Sequence, residues 1–576
     1  MAIAPFTTQS VTGEMFKLRE SLEQLPVPTL AWDSTSMAPM GAVKFAALVS
    51  GVLPSGFTAS LDDWLGVAPK LGDGSDDPDY LTTKVIPHDQ VAAIGTAVFQ
   101  AANFLQYSAG GYTDLDDGTF TRDAAGDIAP NPNEPTMPIW VSLAIPKTAM
   151  PANGYPCVIV GHGLPGSRAD AFMLLANALT AQGFVVAAID MLTNGARAAE
   201  PQYQVDQFTD WENSPGATYH GPDGLADNVD ANGQAAVVGT RNGNTDMVGL
   251  GVNFGAFRDQ TRQVEIDISQ LARVLASDPD LSPLQTGATA PKIDGTKIGY
   301  IGGSFGAITG AVTAAFEPRI RAWVLNVGGG HLLANGSSAA GAESSARQAL
   351  VLGFGVTGQF VDESNPLMSV AQIVLDAWDP LLFARNLVTQ PATVAGQTLA
   401  PRNVLGIEVL YDEKVGNDGT EAWARAVGIG LAMPNVGPNA GITTMGELRD
   451  PTTVPERIPL PDVSPDGSQL IHDTPVAGVT AVLVQTSPGT HYGNLLLSSG
   501  QHGFGLPSNA QTATLGAPYS VRHSYLQQQA MVTRFLADAF AGNVPNVTGF
   551  QPPVRDVDDD GNPDATDPDP NDPTVK

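Results

Sequence analysis

The sequence holds a single cysteine, Cys157, among 576 residues. An intrachain disulfide is thereby excluded, and so are a cysteine-built zinc site and an iron–sulfur cluster. Basic residues are scarce as well: 28 Lys and Arg face 59 Asp and Glu, for a net charge of −31. A surface of that sign repels phosphate backbones and anionic lipid, so nucleic acid is not an expected partner. Charged residues of both signs make up only 15% of the chain, below the ~25% usual for a globular domain. No apolar run reaches the ~18 residues that a membrane-spanning helix needs. The first residues, Met1-Ala-Ile-Ala-Pro5, lack the basic and apolar regions of an export signal.

What is present is an apolar content of 43%, ample for a buried core. Residues 1–135 read as a mixed segment, with helix-like stretches at Met15–Leu25 and Gln90–Tyr107. From about residue 136 to 545, short β-branched runs alternate with longer helical patterns, the signature of βαβ units. The runs are Trp140–Ile145, Cys157–Val160, Phe184–Ile189, Lys297–Ile301, Trp323–Val327, Val404–Leu410 and Thr480–Thr486. Helices are expected at Arg168–Gln182, Arg258–Ser277, Phe305–Phe316, Glu421–Leu431 and Ser524–Phe540. The fold class is therefore α/β, a mostly parallel doubly wound sheet with helices on both faces. Residues 192–257 and 331–400 break the rhythm and read as insertions that build a cap or line a site. Residues 551–576, with eight Asp against Arg555 and Lys576, form an acidic tail too polar to bury a core.

The strongest chemical signal is Gly302-Gly303-Ser304-Phe305-Gly306, a G-x-S-x-G where a strand run meets a helical pattern. A nucleophile on such a turn needs strained backbone angles, and glycines two before and two after it relieve the clash. A second signal, Gly161-His162-Gly163-Leu164-Pro165-Gly166, follows an early strand. Its Gly163 and Leu164 N–H groups, with that of Phe305, would hold a developing oxyanion. The same glycines also imitate a dinucleotide fingerprint, with Asp190 in the ribose-binding place. Pro165 removes an N–H from that turn, and the nucleotide reading leaves the serine unexplained.

A serine nucleophile on this architecture takes an acid and then a histidine later in the chain. The acid candidate is Asp412, where Ile407–Leu410 runs out into a loop; Glu413 and Asp418 are neighbours that stay open. His502, in Gly500-Gln-His-Gly-Phe504, is the preferred base, and His491 is the alternate. His523 opens the last helix and His472 precedes the last strand, which places both poorly. An amidase or peptidase could run on the same triad, and a non-catalytic surface protein could keep the fold.

These motifs give the chain a resemblance to the α/β-hydrolases and, more narrowly, to the bacterial virulence-factor lipase family. The likeness rests on the His162-Gly163 turn, Arg258-Asp-Gln-Thr-Arg-Gln263, the serine elbow, Gly328-Gly-Gly330, Asp379-Pro380 and Phe6-Thr-Thr-Gln-Ser10. It implies carboxylic-ester hydrolysis on lipid, small-ester or polymer substrates, without a cofactor for catalysis. It also implies a secreted or cell-envelope location, with an export signal and further residues upstream of those given. Two features depart from the family: the Gly-Gly-Ser-Phe-Gly form of the elbow, and Asp190-Met-Leu-Thr-Asn-Gly195 where an Asp-x-x-x-His-Gly is usual.

In the tail, Asp556, Asp558, Asp560, Asn562, Asp564 and Asp567 around Gly561 have the spacing of a calcium loop. The segment is similar to a thrombospondin type 3 repeat, which implies calcium there. The chain sets no expectation for oligomeric state.

Overall fold

The computed structural model describes residues 11–32, 88–106, 117–164, 168, 175–192, 194, 197, 254–332, 366–409, 412, 414–432, 478–486, 521–545 and 547. In chain order, helix α1 (Gly13–Leu22) precedes strand β1 (Val91–Ala102), β2 (Thr136–Pro146), β3 (Tyr155–Gly161), α2 (Ala176–Ala181) and β4 (Val185–Ile189). A long helix, α3 (Phe254–Ala276), leads to β5 (Ile293–Gly303), α4 (Phe305–Thr313) and β6 (Ile320–Asn326). Next come α5 (Pro366–Leu375), α6 (Pro380–Phe383) and a small hairpin of β7 (Thr393–Val394) with β8 (Gln397–Thr398). β9 (Asn403–Val409), α7 (Asn417–Val427), β10 (Gly430–Ala432), β11 (Ala481–Thr486) and α8 (Val521–Ala541) complete the series.

Nine strands form one sheet in the order β1-β2-β4-β3-β5-β6-β9-β11-β10. β2 runs antiparallel to both of its neighbours, and every other pairing from β4 to β10 is parallel. The parallel strands are buried on both faces, which is why they read as unbroken Val/Ile runs. One face packs against α2 and α8 through Leu179, Phe535, Leu536 and Phe540. The other carries α1, α3, α4 and α7 through Leu18, Leu271, Val312 and Trp423. The chain leaves β3 for β4 on one side and returns at β5 on the other, so β3 and β5 flank the point where the winding reverses. In such sheets the crevice beyond the carboxyl ends of those strands is where ligands bind.

The helix expected at Gln90–Tyr107 is overturned: Val91–Ala102 is an edge strand paired antiparallel with β2 from Val91 opposite Pro146 to Ala102 opposite Thr136. Its alanines favour a helix locally, but Ala93, Ala97, Phe99 and Ala101 complete the core face of the sheet. That burial, together with the pairing, outweighs the ~1 kcal/mol scale of local propensity. The helix expected at Glu421–Leu431 stops at Val427, because Gly428 turns left-handed at φ 82° and releases the chain into β10. The described part of the 331–400 insertion comprises α5, α6 and the β7–β8 hairpin. Among the described residues, no helix is long and apolar enough to cross a membrane.

Candidate active site

β5 ends in Gly303, and α4 begins with Phe305; Ser304 alone makes the turn between them, at φ 53° and ψ −118°. Only a few per cent of non-glycine residues take a positive φ, and here the surroundings impose it. The Ser304 N–H donates to the Asn326 carbonyl at 2.9 Å, and its own carbonyl accepts from Ala307 and Ile308 at 2.9 and 3.0 Å. A Cβ on Gly302 would collide with the Gly306 backbone, and one on Gly306 with the backbone of Gly161. Both glycines of the elbow are thus required by close packing.

The His162-Gly163 turn lies directly against the serine. A Cβ on Gly163 would stand 2.9 Å from Ser304 Cβ and 3.5 Å from its Oγ. His162 is buried with both ring nitrogens engaged: Nδ1 lies 2.8 Å from the Gly163 carbonyl, and Nε2 accepts the Met191 N–H at 3.0 Å. With Nε2 accepting, Nδ1 carries the proton, and the ring is neutral. Burial lowers its pKa, outweighing the upward pull of the Gly163 carbonyl. His162 therefore positions the turn, with both ring nitrogens already engaged. Phe305 is the first residue of α4, so its N–H has no acceptor within the helix. This arrangement, with the strand order and β2 reversed, decides the architecture. The chain has an α/β-hydrolase fold.

Asp412 lies just past β9, on the same edge of the sheet as Ser304. It is 3% exposed, and its Oδ1 accepts the N–H groups of Lys414 and Val415, both at 2.8 Å. Asp418 is the second residue of α7, and Glu413 lies outside the described residues. His502 and His491 also lie outside them, as do Gly166 and the tail carboxylates from Asp556 to Asp567. Among the described residues no cluster of three or more His, Cys, Asp or Glu could hold a metal ion.

Asp190, which the dinucleotide reading needs for a ribose, is instead bound by Arg168. The Arg168 N–H donates to Oδ1 at 2.8 Å, and its guanidinium makes a buried ion pair with Oδ2. The carbonyl of Asp190 also accepts from Arg197 at 3.0 Å. That acid fastens the loop after β4.

Sequence reasoning missed the part played by Asp379. This buried carboxylate accepts the N–H groups of His331, Leu332 and Leu381, each at 2.9 Å, and Gln372 Nε2 at 2.8 Å. It caps α6 and holds the loop that leaves β6 beside the elbow, where His331 is left-handed at φ 56°. The Asp-Pro dipeptide marks a helix start in sequence, but nothing local reveals the loop it binds. The wall next to the elbow is aromatic: the buried ring of Trp378 lies 6.2 Å from Phe305 and 5.3 Å from Phe257.

No protein-family model and no curated protein matches the chain. Solved structures similar to it include acetyl xylan esterase 1 from a Thermoanaerobacterium species, 15% identical over 64% of this chain and 87% of that one, with TM-score 0.33. An acylaminoacyl peptidase of Pyrococcus horikoshii is 10% identical over 81% of this chain and 52% of its own, with TM-score 0.32. A 2,6-dihydroxy-pseudo-oxynicotine hydrolase is 15% identical over 72% and 69%, with TM-score 0.30. At such identity these neighbours say nothing of what this chain acts on.

Proposed function

We propose that the chain is a serine carboxylic-ester hydrolase that works through an acyl-enzyme on Ser304. The observation that carries this reading is the strained backbone of Ser304, held at the tip of the elbow against the Gly163 turn. Ser304 Oγ attacks the acyl carbon while an imidazole takes its proton, and Asp412 orients that imidazole and stabilises its charged form. His502 is the proposed base, with His491 as the alternate. The N–H groups of Phe305 and of the Gly163-Leu164 turn hold the oxyanion, each such donor contributing about 3–4 kcal/mol. The imidazolium then protonates the leaving alcohol, and water repeats the sequence to release the acid.

Labelling by a fluorophosphonate and hydrolysis of p-nitrophenyl esters test the reading. Ser304→Ala is expected to lose the label and to lower kcat by about a millionfold. A folded wild type that takes no label sinks the proposal, and anilides turned over faster than esters would make the enzyme an amidase. Full activity in His502→Ala would transfer the role of base to His491. From the sequence motifs we also propose calcium binding by the tail carboxylates, and a secreted or envelope location as in the virulence-factor lipases. Calorimetric titration of the full chain with Ca2+, beside Asp558→Asn, tests the first; fractionation of the source cells tests the second.

A further inference from the structure

At the edge of the sheet opposite Ser304, a cleft of about 500 Å3 opens between the starts of β6 and β9, the turn before β11 and the end of α8. Arg319, Arg321 and Arg402 line it, and no carboxylate stands among its described lining residues. In a chain of net charge −31 this is a local reversal of sign. Two of the three cations have no carboxylate partner among the described residues. Arg402 is 6% exposed; its Nε donates to the Ala314 carbonyl at 3.1 Å, and its buried Nη2 has no partner among the described residues. Arg321 is exposed and donates Nε to the carbonyl of Thr296, itself part of the cleft. The buried carboxylate whose charge reaches Arg402 is Glu317, and it is already bound by Arg19 and Arg319. Arg319 also binds Glu23. Burial presses the Arg402 pKa down to about 10, the mark of a cation without enough counter-charge.

We propose that this cleft binds a small multivalent oxyanion, bearing phosphate or carboxylate groups, through Arg321 and Arg402 with Arg319 beside them. Guanidinium forks match both groups and hold them in bidentate pairs. Such an anion gives the open hydrogen-bonding capacity of Arg402 a partner that the described residues do not supply. The site is remote from the elbow, so its occupant is not the substrate.

The test is thermal unfolding and calorimetric titration of the full chain with sodium phosphate and with sodium citrate, against sodium chloride at matched ionic strength. The expected result is a saturable rise in Tm with phosphate, citrate or both, beyond that in chloride. The anion that binds identifies the recognised group. Arg321→Ala, an exposed change, is expected to raise Kd at least about tenfold, the loss of one charge-assisted contact, with ester hydrolysis unaltered. Arg402→Lys should weaken binding similarly; should it fail to fold, Arg321→Ala still decides. No shift beyond chloride with either anion, or an unchanged Kd in Arg321→Ala, overturns the proposal.

Discussion

Glu265, on α3, is fully buried, and neither carboxylate oxygen has a hydrogen-bond partner among the described residues. Burial lifts its pKa well above the ordinary value, against the pull of Arg262. The folded chain then holds this proton more tightly than the unfolded one does. The contribution is fullest below the unfolded pKa and is lost as pH rises through the folded one. Glu265→Gln should therefore unfold at a higher urea concentration than wild type at alkaline pH, with the gap closing near the ordinary carboxylate pKa. His162 has the opposite sign: its pKa is lowered, so its stabilisation is present above the unfolded value of ~6.5 and is lost as pH falls. Gly163→Ala sets a methyl 2.9 Å from Ser304 Cβ. On the proposed mechanism, displacing Ser304 by a fraction of an ångström should lower kcat roughly a hundredfold, while KM and Tm move little. The two elbow glycines were legible in the sequence because the steric need for them is met within a few residues. Glu265 and Asp379 were not, since what surrounds them comes from distant segments.

At the scale of elements, α3 shows what sequence pattern can miss. Nearly every side chain from Ala256 to Leu275 is buried, polar ones included. Gln270 Oε1 accepts the Ala102 N–H at 2.6 Å, Gln263 Oε1 accepts that of Phe104 at 2.9 Å, and Asp259 accepts that of Phe120 at 3.0 Å. The helix thereby satisfies backbone groups where β1 leaves the sheet. Gln270→Ala would leave the Ala102 N–H without that acceptor in the core, at a cost of about 1–3 kcal/mol in urea unfolding. A period of 3.6 correctly gave the helix, but a surface helix would show the same alternation of polar and apolar residues. The parallel strands were legible because burial on both faces writes itself as continuous Val and Ile. β1 was not: its alanines are chosen by a partner strand more than thirty positions away, and no local rule reports that choice.

On the scale of the whole molecule, α1 is joined to the body by charge. Glu14 pairs with Arg262 across 248 positions and with Arg122, Arg19 pairs with Glu317, and Glu23 pairs with Arg319. Burial pushes the Glu14 and Glu23 carboxyls upward, yet hydrogen bonds from these arginines prevail and hold both at about 2. A depressed carboxylate pKa stabilises above the unfolded value of 4.5 and ceases to do so as pH falls toward 2. Acid unfolding should therefore steepen across that window, and Glu23→Gln should flatten it in a urea series taken at several pH values. Glu317→Gln would leave Arg19 and Arg319 short of a counter-ion, a loss of about 3–5 kcal/mol for a broken buried pair. Such latches tie together residues that sequence reading divides into separate segments. β1 shields the whole outer side of β2, and Ala31 in turn pairs with Val98 on the outer side of β1. A recombinant version trimmed to begin at the second strand would expose a long, apolar, unpaired margin, an invitation to strand-by-strand stacking between molecules. Expressed that way, the protein should collect in inclusion bodies even though every residue of its elbow is intact.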